Sequence, residues 1–318
     1  VSLTAALAAL VLVVLGGVVR VTGSGLGCPD WPLCHGRVLP PWELTAVIEY
    51  THRLVASAVV SPLVLVTAGM VWWSHRREPW LVAPASLSVV LLLGQALLGG
   101  VTVLRELPPV TVAAHLALGQ ALLACLVLVA VAARRGLPAG EIRPDESRPP
   151  PVEPGRERPD PFPRLALAAV AGLYLLLLTG AYVTASGAIA ACPEWPLCQG
   201  LDFPAGRLSY IHMLHRLAAL VIGLFVLYVL HLGFRRREGP RITRLLALTA
   251  AGLFAAQVLV GALMVWTGFP VARVALMALH LAVSSAVWAA TVAVASLSLP
   301  ALRPAMLRPM PRQGPAHA

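Results

Sequence analysis

The sequence predicts an all-α polytopic membrane protein. Its eight transmembrane helices are expected to form two homologous four-helix bundles, related by a pseudo-two-fold axis along the membrane normal. Three observations carry that reading. The 318 residues are 58% hydrophobic and only 12% charged, which excludes an ordinary soluble domain. Long apolar runs recur without the alternation of barrel strands, each near the ~20 residues a helix needs to cross the bilayer. The chain also repeats itself: CPDWPLC at Cys28 to Cys34 returns as CPEWPLC at Cys192 to Cys198, 164 residues on. Val21-Thr22-Gly23-Ser24-Gly25 answers Val183-Thr184-Ala185-Ser186-Gly187, and His52-Arg53-Leu54 answers His215-Arg216-Leu217. Gln95 answers Gln257, and Ala114-His115-Leu116-Ala117 answers Leu279-His280-Leu281-Ala282.

Taken in order, the predicted spans are 2–20, 46–73, 80–104, 110–133, 164–183, 209–234, 243–267 and 272–297. Span one is expected to be retained rather than cleaved as a signal peptide. It lacks a basic leading region, and its repeat partner, span five, is internal. The chain begins at Val1 without Met, so a few preceding residues or a non-ATG start are expected. Residues 1–133 are read as the N-terminal bundle and 164–297 as the C-terminal bundle. The segment 134–163 between them is rich in Pro, Arg, Glu and Asp and reads as a flexible linker; 298–318 reads as a tail. Four spans separate the repeats, and an even number preserves their orientation.

The net charge of +10 is carried by 24 basic residues, all of them Arg. A basic balance of that size raises nucleic acid, but the distribution assigns it to topology instead. Seventeen of the arginines follow span two, lie between spans four and five or six and seven, or form the tail. The positive-inside rule places that side, with both termini, in the cytoplasm, and both cysteine loops on the outer face of a cell membrane.

Outside the cell, disulfides persist, and five intervening residues with a turn-forming Pro allow Cys28–Cys34 and Cys192–Cys198 to close. Structural staples are one reading of the pairs; a redox role for Cys28–Cys34 is the other. Zinc fits poorly, since the spacing is unusual for ligands and only His35 is nearby. Cys125, mid-span, reads as a small buried hydrophobe.

Four of the nine histidines, His52, His115, His215 and His280, take matched intramembrane positions. Ionisable groups there are costly and mark function. His52 opens span two and His115 enters span four from the same side, so both reach a similar depth and can hold a haem iron from two sides. His215 and His280 repeat the arrangement. Arg53 and Arg216 follow two of these ligands directly and are candidates to pair with haem propionates, with snorkelling to the interface as the alternative. The halves differ at one telling place. Glu49 precedes His52 by one helical turn, on the same face, whereas His212 stands there in the second half. A carboxylate beside a metal centre can accept a proton or stabilise developing positive charge, so one bundle reads as catalytic and the other as supporting.

The combination of Glu49-x-x-His52-Arg53, two Cys-Pro-x-Trp-Pro-Leu-Cys loops and four intramembrane histidines resembles bacterial haem A synthase, from Gly16 to Ala290. The resemblance implies oxidation of the C8 methyl of haem O to a formyl group through a hydroxymethyl intermediate. It implies haem O on His52 and His115, a b-type haem on His215 and His280, and Glu49 as the catalytic carboxylate. It also implies haem O synthase upstream, terminal cytochrome oxidase as the consumer of haem A, and water as the oxygen source. The electron acceptor is not legible, a quinone being one class, and neither is homo-oligomer formation. A di-haem electron carrier would explain the histidines but not Glu49 or the loops. A membrane thiol oxidase would explain the cysteines but not the histidines. A haem chaperone would need no chemistry at all.

Overall fold

In a computed structural model the chain is described over residues 1–136, 160–198, 206–236, 240–267 and 270–299. Most of the predicted linker and nearly all of the predicted tail lie outside these residues. Among them the architecture is all helical, with eight helices long and apolar enough to cross a membrane. They are α1 (Ser2–Val21), α2 (Leu44–Ser74), α3 (Pro79–Leu104), α4 (Pro109–Gly136), α5 (Phe162–Ala185), α6 (Arg207–Arg235), α7 (Arg241–Trp266) and α8 (Pro270–Ser298). Each predicted span is present, and each observed helix runs up to three residues further at one end or the other.

Proline marks several helix starts. Pro79, Pro109, Pro163 and Pro270 sit in first turns, where the missing N–H is an orphan in any case and the fixed φ suits the helix. Pro62 acts differently, because it lies within α2. Its missing N–H leaves an α-helical carbonyl without a donor, and the helix opens into one π turn over Ala56–Val60. The Ser61 N–H closes that turn on the Ala56 carbonyl, and the Ser61 hydroxyl donates to the same oxygen at 2.8 Å. α6, the repeat partner of α2, runs unbroken.

In the first half α1 packs on α2 and α4, and α3 packs on α2 and α4. In the second half α5 packs on α6 and α8, and α7 packs on α6 and α8. Between the halves α4 meets α5 and α8, and α1 meets α8. The main core lies along these seams, built from Leu123, Leu126, Leu173, Val226, Leu230 and Val287, while much of the lipid-facing leucine and valine surface stays exposed. Several polar groups on the seam find partners across it. Gln120 donates through Nε2 to Ser285 Oγ at 2.7 Å, Trp288 Nε1 donates to the Gln120 carbonyl at 2.9 Å, and the Tyr174 hydroxyl donates to the Ala117 carbonyl at 2.9 Å. In hydrocarbon such bonds replace pairing that water cannot supply.

Candidate active site

One cavity of about 1370 Å³ runs through both halves. It exceeds the usual ~300–1,000 Å³ of a single small-ligand pocket. His52, His115, His215 and His280 all line it, together with Glu49, Arg53, His212 and Arg216. His52 and His115 reach the cavity from α2 and α4 of the first half, and His215 and His280 from α6 and α8 of the second. Each predicted ligand pair is therefore brought together within its own half.

Every one of these rings is seated against a glycine of the preceding helix. A Cβ added at Gly16 would stand 3.1 Å from Cε1 of His52, and one at Gly99 would stand 3.0 Å from Cε1 of His115. The corresponding separations are 3.0 Å from Gly180 to His215 and 3.2 Å from Gly261 to His280. Real Cβ contacts are rarely so short, so each glycine is a notch that admits the imidazole edge. The notches escaped the sequence reading, although Gly16 recurs as Gly180 and Gly99 as Gly261 at nearly the histidine offsets. That recurrence was the available signal.

The Nδ1 atoms of His52, His115 and His280 are buried without a hydrogen-bond partner among the described residues. His215 differs, because its Nδ1 lies 2.8 Å from Thr179 Oγ1. An unpartnered buried nitrogen is costly, and these three rings are held by their glycine notches rather than by a hydrogen bond at Nδ1. Four cavity-facing imidazoles in two pairs fit a group bound axially through nitrogen from two sides, as haem iron is.

Glu49 is buried and its carboxylate is held at both oxygens. Oε1 accepts from Arg53 Nη2 at 2.6 Å, and Oε2 accepts from the Cys28 N–H at 2.9 Å. Arg53 spends its other contacts on the first loop: Nη1 donates to the carbonyls of Asp30 at 2.8 Å and Leu33 at 2.9 Å, and Nη2 to that of Cys28 at 2.8 Å. Arg216 treats the second loop alike, with Nη1 donating to the carbonyls of Glu194, Pro196 and Leu197 and Nη2 to that of Cys192. Both guanidiniums thus clasp the loops over the cavity. At the place of Glu49, His212 directs Nδ1 to the Ala188 carbonyl at 3.1 Å.

The loops are closed by disulfides, Cys28–Cys34 and Cys192–Cys198. Their tryptophans line the cavity, Trp31 over Gly100 of α3 and Trp195 edge-on to Trp266 of α7 at 5.5 Å. Asp30 pins the first loop by accepting from the N–H groups of Gly36 at 2.7 Å and His35 at 2.6 Å. The Gly36 bond, with that of His35, holds the exposed Asp30 carboxyl below the usual aspartate range. His35 itself stays on the solvent side, its Nε2 2.9 Å from the Gly27 carbonyl. Cys125 is a free, buried thiol. A residue missed by the sequence reading, Arg20, reaches from α1 across to the Thr184 and Ala185 carbonyls at 3.3 and 3.2 Å and lines the cavity between the halves.

A family described as cytochrome oxidase assembly protein matches residues 1–46 and 43–292 of this chain. The chain belongs to that family. Within the cytochrome oxidase assembly protein family it is similar to a protein of Symbiobacterium thermophilum named "Heme A synthase", 34% identical over 302 residues that cover 92% of each chain. It is 29% identical over 272 residues to a protein of the same name from Alkalihalophilus pseudofirmus, covering 84% of this chain and 86% of that one. A Bacillus cereus protein, also named "Heme A synthase", is 30% identical over 280 residues, covering 85% and 84%. The family match spans both cysteine loops and all four cavity histidines.

Proposed function

We propose that this chain is a haem A synthase, which converts the C8 methyl of haem O to a formyl group and supplies haem A to terminal oxidases. The observation that carries the reading is an asymmetry inside a repeat. Two histidine pairs line one cavity, yet among the described residues a buried carboxylate stands beside the first pair only. His52 and His115 bind the substrate haem, and His215 and His280 hold a resident b-type haem. When bound, a b-type haem supplies one-electron transfer.

The reaction removes two electrons and two protons at each of two stages. Water adds to the methyl carbon to give the alcohol, a second oxidation with water gives the hydrated aldehyde, and loss of water leaves the formyl group. Glu49 faces the first-half cavity with its charge set by Arg53 and by the Cys28 N–H. It stabilises positive charge at the reacting carbon or takes the proton that leaves, because a fixed carboxylate in a water-poor site acts far more strongly than in water. The glycine notches set each imidazole without side-chain strain. Arg53 and Arg216 fix the two loops as roofs, so the tryptophans exclude bulk water. The electrons leave to an external acceptor, for which a quinone is one class. Haem O synthase supplies the substrate, and the protein sits in the bacterial cell membrane with its termini cytoplasmic and its cysteine loops outside.

The test is to co-express the chain with haem O synthase, extract the haems in acid and separate them by chromatography with mass detection. Haem A or its hydroxylated precursor, lost in a Glu49→Ala variant, supports the reading. Unchanged haem O beside haem B, from a folded protein with bis-histidine spectra, overturns it in favour of an electron carrier.

A further inference from the structure

We infer that Thr179 is a positioning residue that makes the second-half haem site retentive, and that Leu15 at the matched place leaves the first-half site exchangeable. This rests on the haem reading above. Thr179 lies on α5, one residue before the Gly180 notch, and its Oγ1 stands 2.8 Å from Nδ1 of His215. The same hydroxyl lies 2.7 Å from the Leu176 carbonyl. A carbonyl only accepts, so the single hydroxyl proton goes to Leu176, and Thr179 Oγ1 accepts from the His215 Nδ1–H. That fixes the tautomer: Nδ1 carries the proton and Nε2 is left with its lone pair free for iron.

In the first half the position before Gly16 is Leu15, which has no hydroxyl. No side-chain hydroxyl stands behind the His52 ring, and its Nδ1 is buried with no hydrogen-bond partner among the described residues. The two halves, so alike in their glycines and histidines, therefore differ in the group behind one ligand. An outer hydrogen bond of this kind raises the basicity of a ligating imidazole, and its loss typically costs ~10–100-fold in metal affinity. A resident cofactor requires tight holding. A haem that enters as substrate and leaves as product requires release, and a first half built with leucine serves that need.

The experiment uses the full chain, loaded with haem b in cells lacking haem O synthase. It follows haem transfer to excess apomyoglobin, the midpoint potential and the low-spin electron paramagnetic resonance signal. Thr179→Val is expected to speed release of the retained haem by about 10–100-fold. It should also raise its potential, since a less basic ligand favours the ferrous state. Thr179→Ser, which restores the hydroxyl, should return both values. Leu15→Thr should slow release from the first half. Should Thr179→Val misfold, the Ser and Leu15→Thr variants still decide. Wild-type release rate and potential in Thr179→Val, or no slowing in Leu15→Thr, would overturn the inference. Wild-type protein that shows no bis-histidine signal, and loses no haem on His215→Ala, would instead defeat the haem reading on which it rests.

Discussion

Arg53 donates to Glu49 at 2.6 Å, one turn along α2, and the partnership extends into the loop above it. Arg53 holds the Cys28 carbonyl, and Cys28 returns its N–H to the other Glu49 oxygen. Carboxylate, guanidinium and disulfide loop form a closed circuit of charge-assisted bonds at one end of the first-half cavity. The second half has the guanidinium and the loop but not the carboxylate.

Glu49→Gln keeps the shape and a carbonyl acceptor for the Cys28 N–H, and removes the charge. Haem A and its hydroxylated precursor are expected to fall by about 10²-fold or more, the usual scale of a lost acid–base group. Haem content and thermal stability should change little. Acid extraction with chromatography checks the product, and full haem A output would sink the assigned role.

The two disulfides are predicted to separate stability from turnover. Each closes a short loop, worth about 2 kcal/mol by the chain-entropy estimate. Cys28→Ser with Cys34→Ser and Cys192→Ser with Cys198→Ser should therefore lower the melting temperature by similar amounts. Only the first pair should also depress methyl oxidation, because only the Cys28 N–H is bonded to a carboxylate in the cavity. Equal losses of haem A in both double variants would mean that the first loop acts as a staple alone.

The glycine notches predict an inversion of the ordinary Gly→Ala effect. In an exposed helix alanine is better than glycine by about 1 kcal/mol. At Gly180 the new methyl would crowd the His215 ring at 3.0 Å, so Gly180→Ala should abolish the b-type spectrum of the second half. Gly99→Ala should spare that spectrum and reduce haem A. Gly69 and Gly252 face open space and serve as controls, with wild-type haem content and unchanged or higher stability expected. Visible spectra of purified variants distinguish the outcomes.

Asp30 sets an acid limit on the first loop. Its folded carboxyl is held below the ordinary value by the Gly36 and His35 N–H groups. A depressed carboxylate contributes order that is fully present above its unfolded value and is lost as pH falls through the folded one. The loop should then be insensitive to pH near neutrality and loosen only in acid. Hydrogen exchange at the His35 and Gly36 amides measures this. Asp30→Ala should show fast exchange already at neutral pH, and protection as in the wild type would refute the assignment.

The helices were legible because a bilayer leaves few choices: an apolar run near the required length, bounded by proline or arginine, has little else to become. The histidines were legible because a costly group that recurs at matched depth is hard to explain otherwise. What lay beyond reading depends on contacts between helices distant in sequence. Arg53 was a candidate for propionate pairing on its position alone; that its donors turn to the Asp30, Leu33 and Cys28 carbonyls is visible only once the loop is folded back. Thr179 looks like any small polar residue in a span until the His215 ring is seen beside it. The sequence predicts an unbroken span over 46–73; the π turn over Ala56–Val60, just before Pro62, is visible only in the folded helix.

Gln120 and Ser285 occupy equivalent places in the two repeats, five residues after His115 and His280, and they bond to each other. The bond joins α4 to α8 across the boundary between the halves, where hydrocarbon offers no competing partner, so it fixes the register in which the two halves meet. Ser285→Ala would leave the Gln120 amide without that acceptor, and the halves would lose this point of registration.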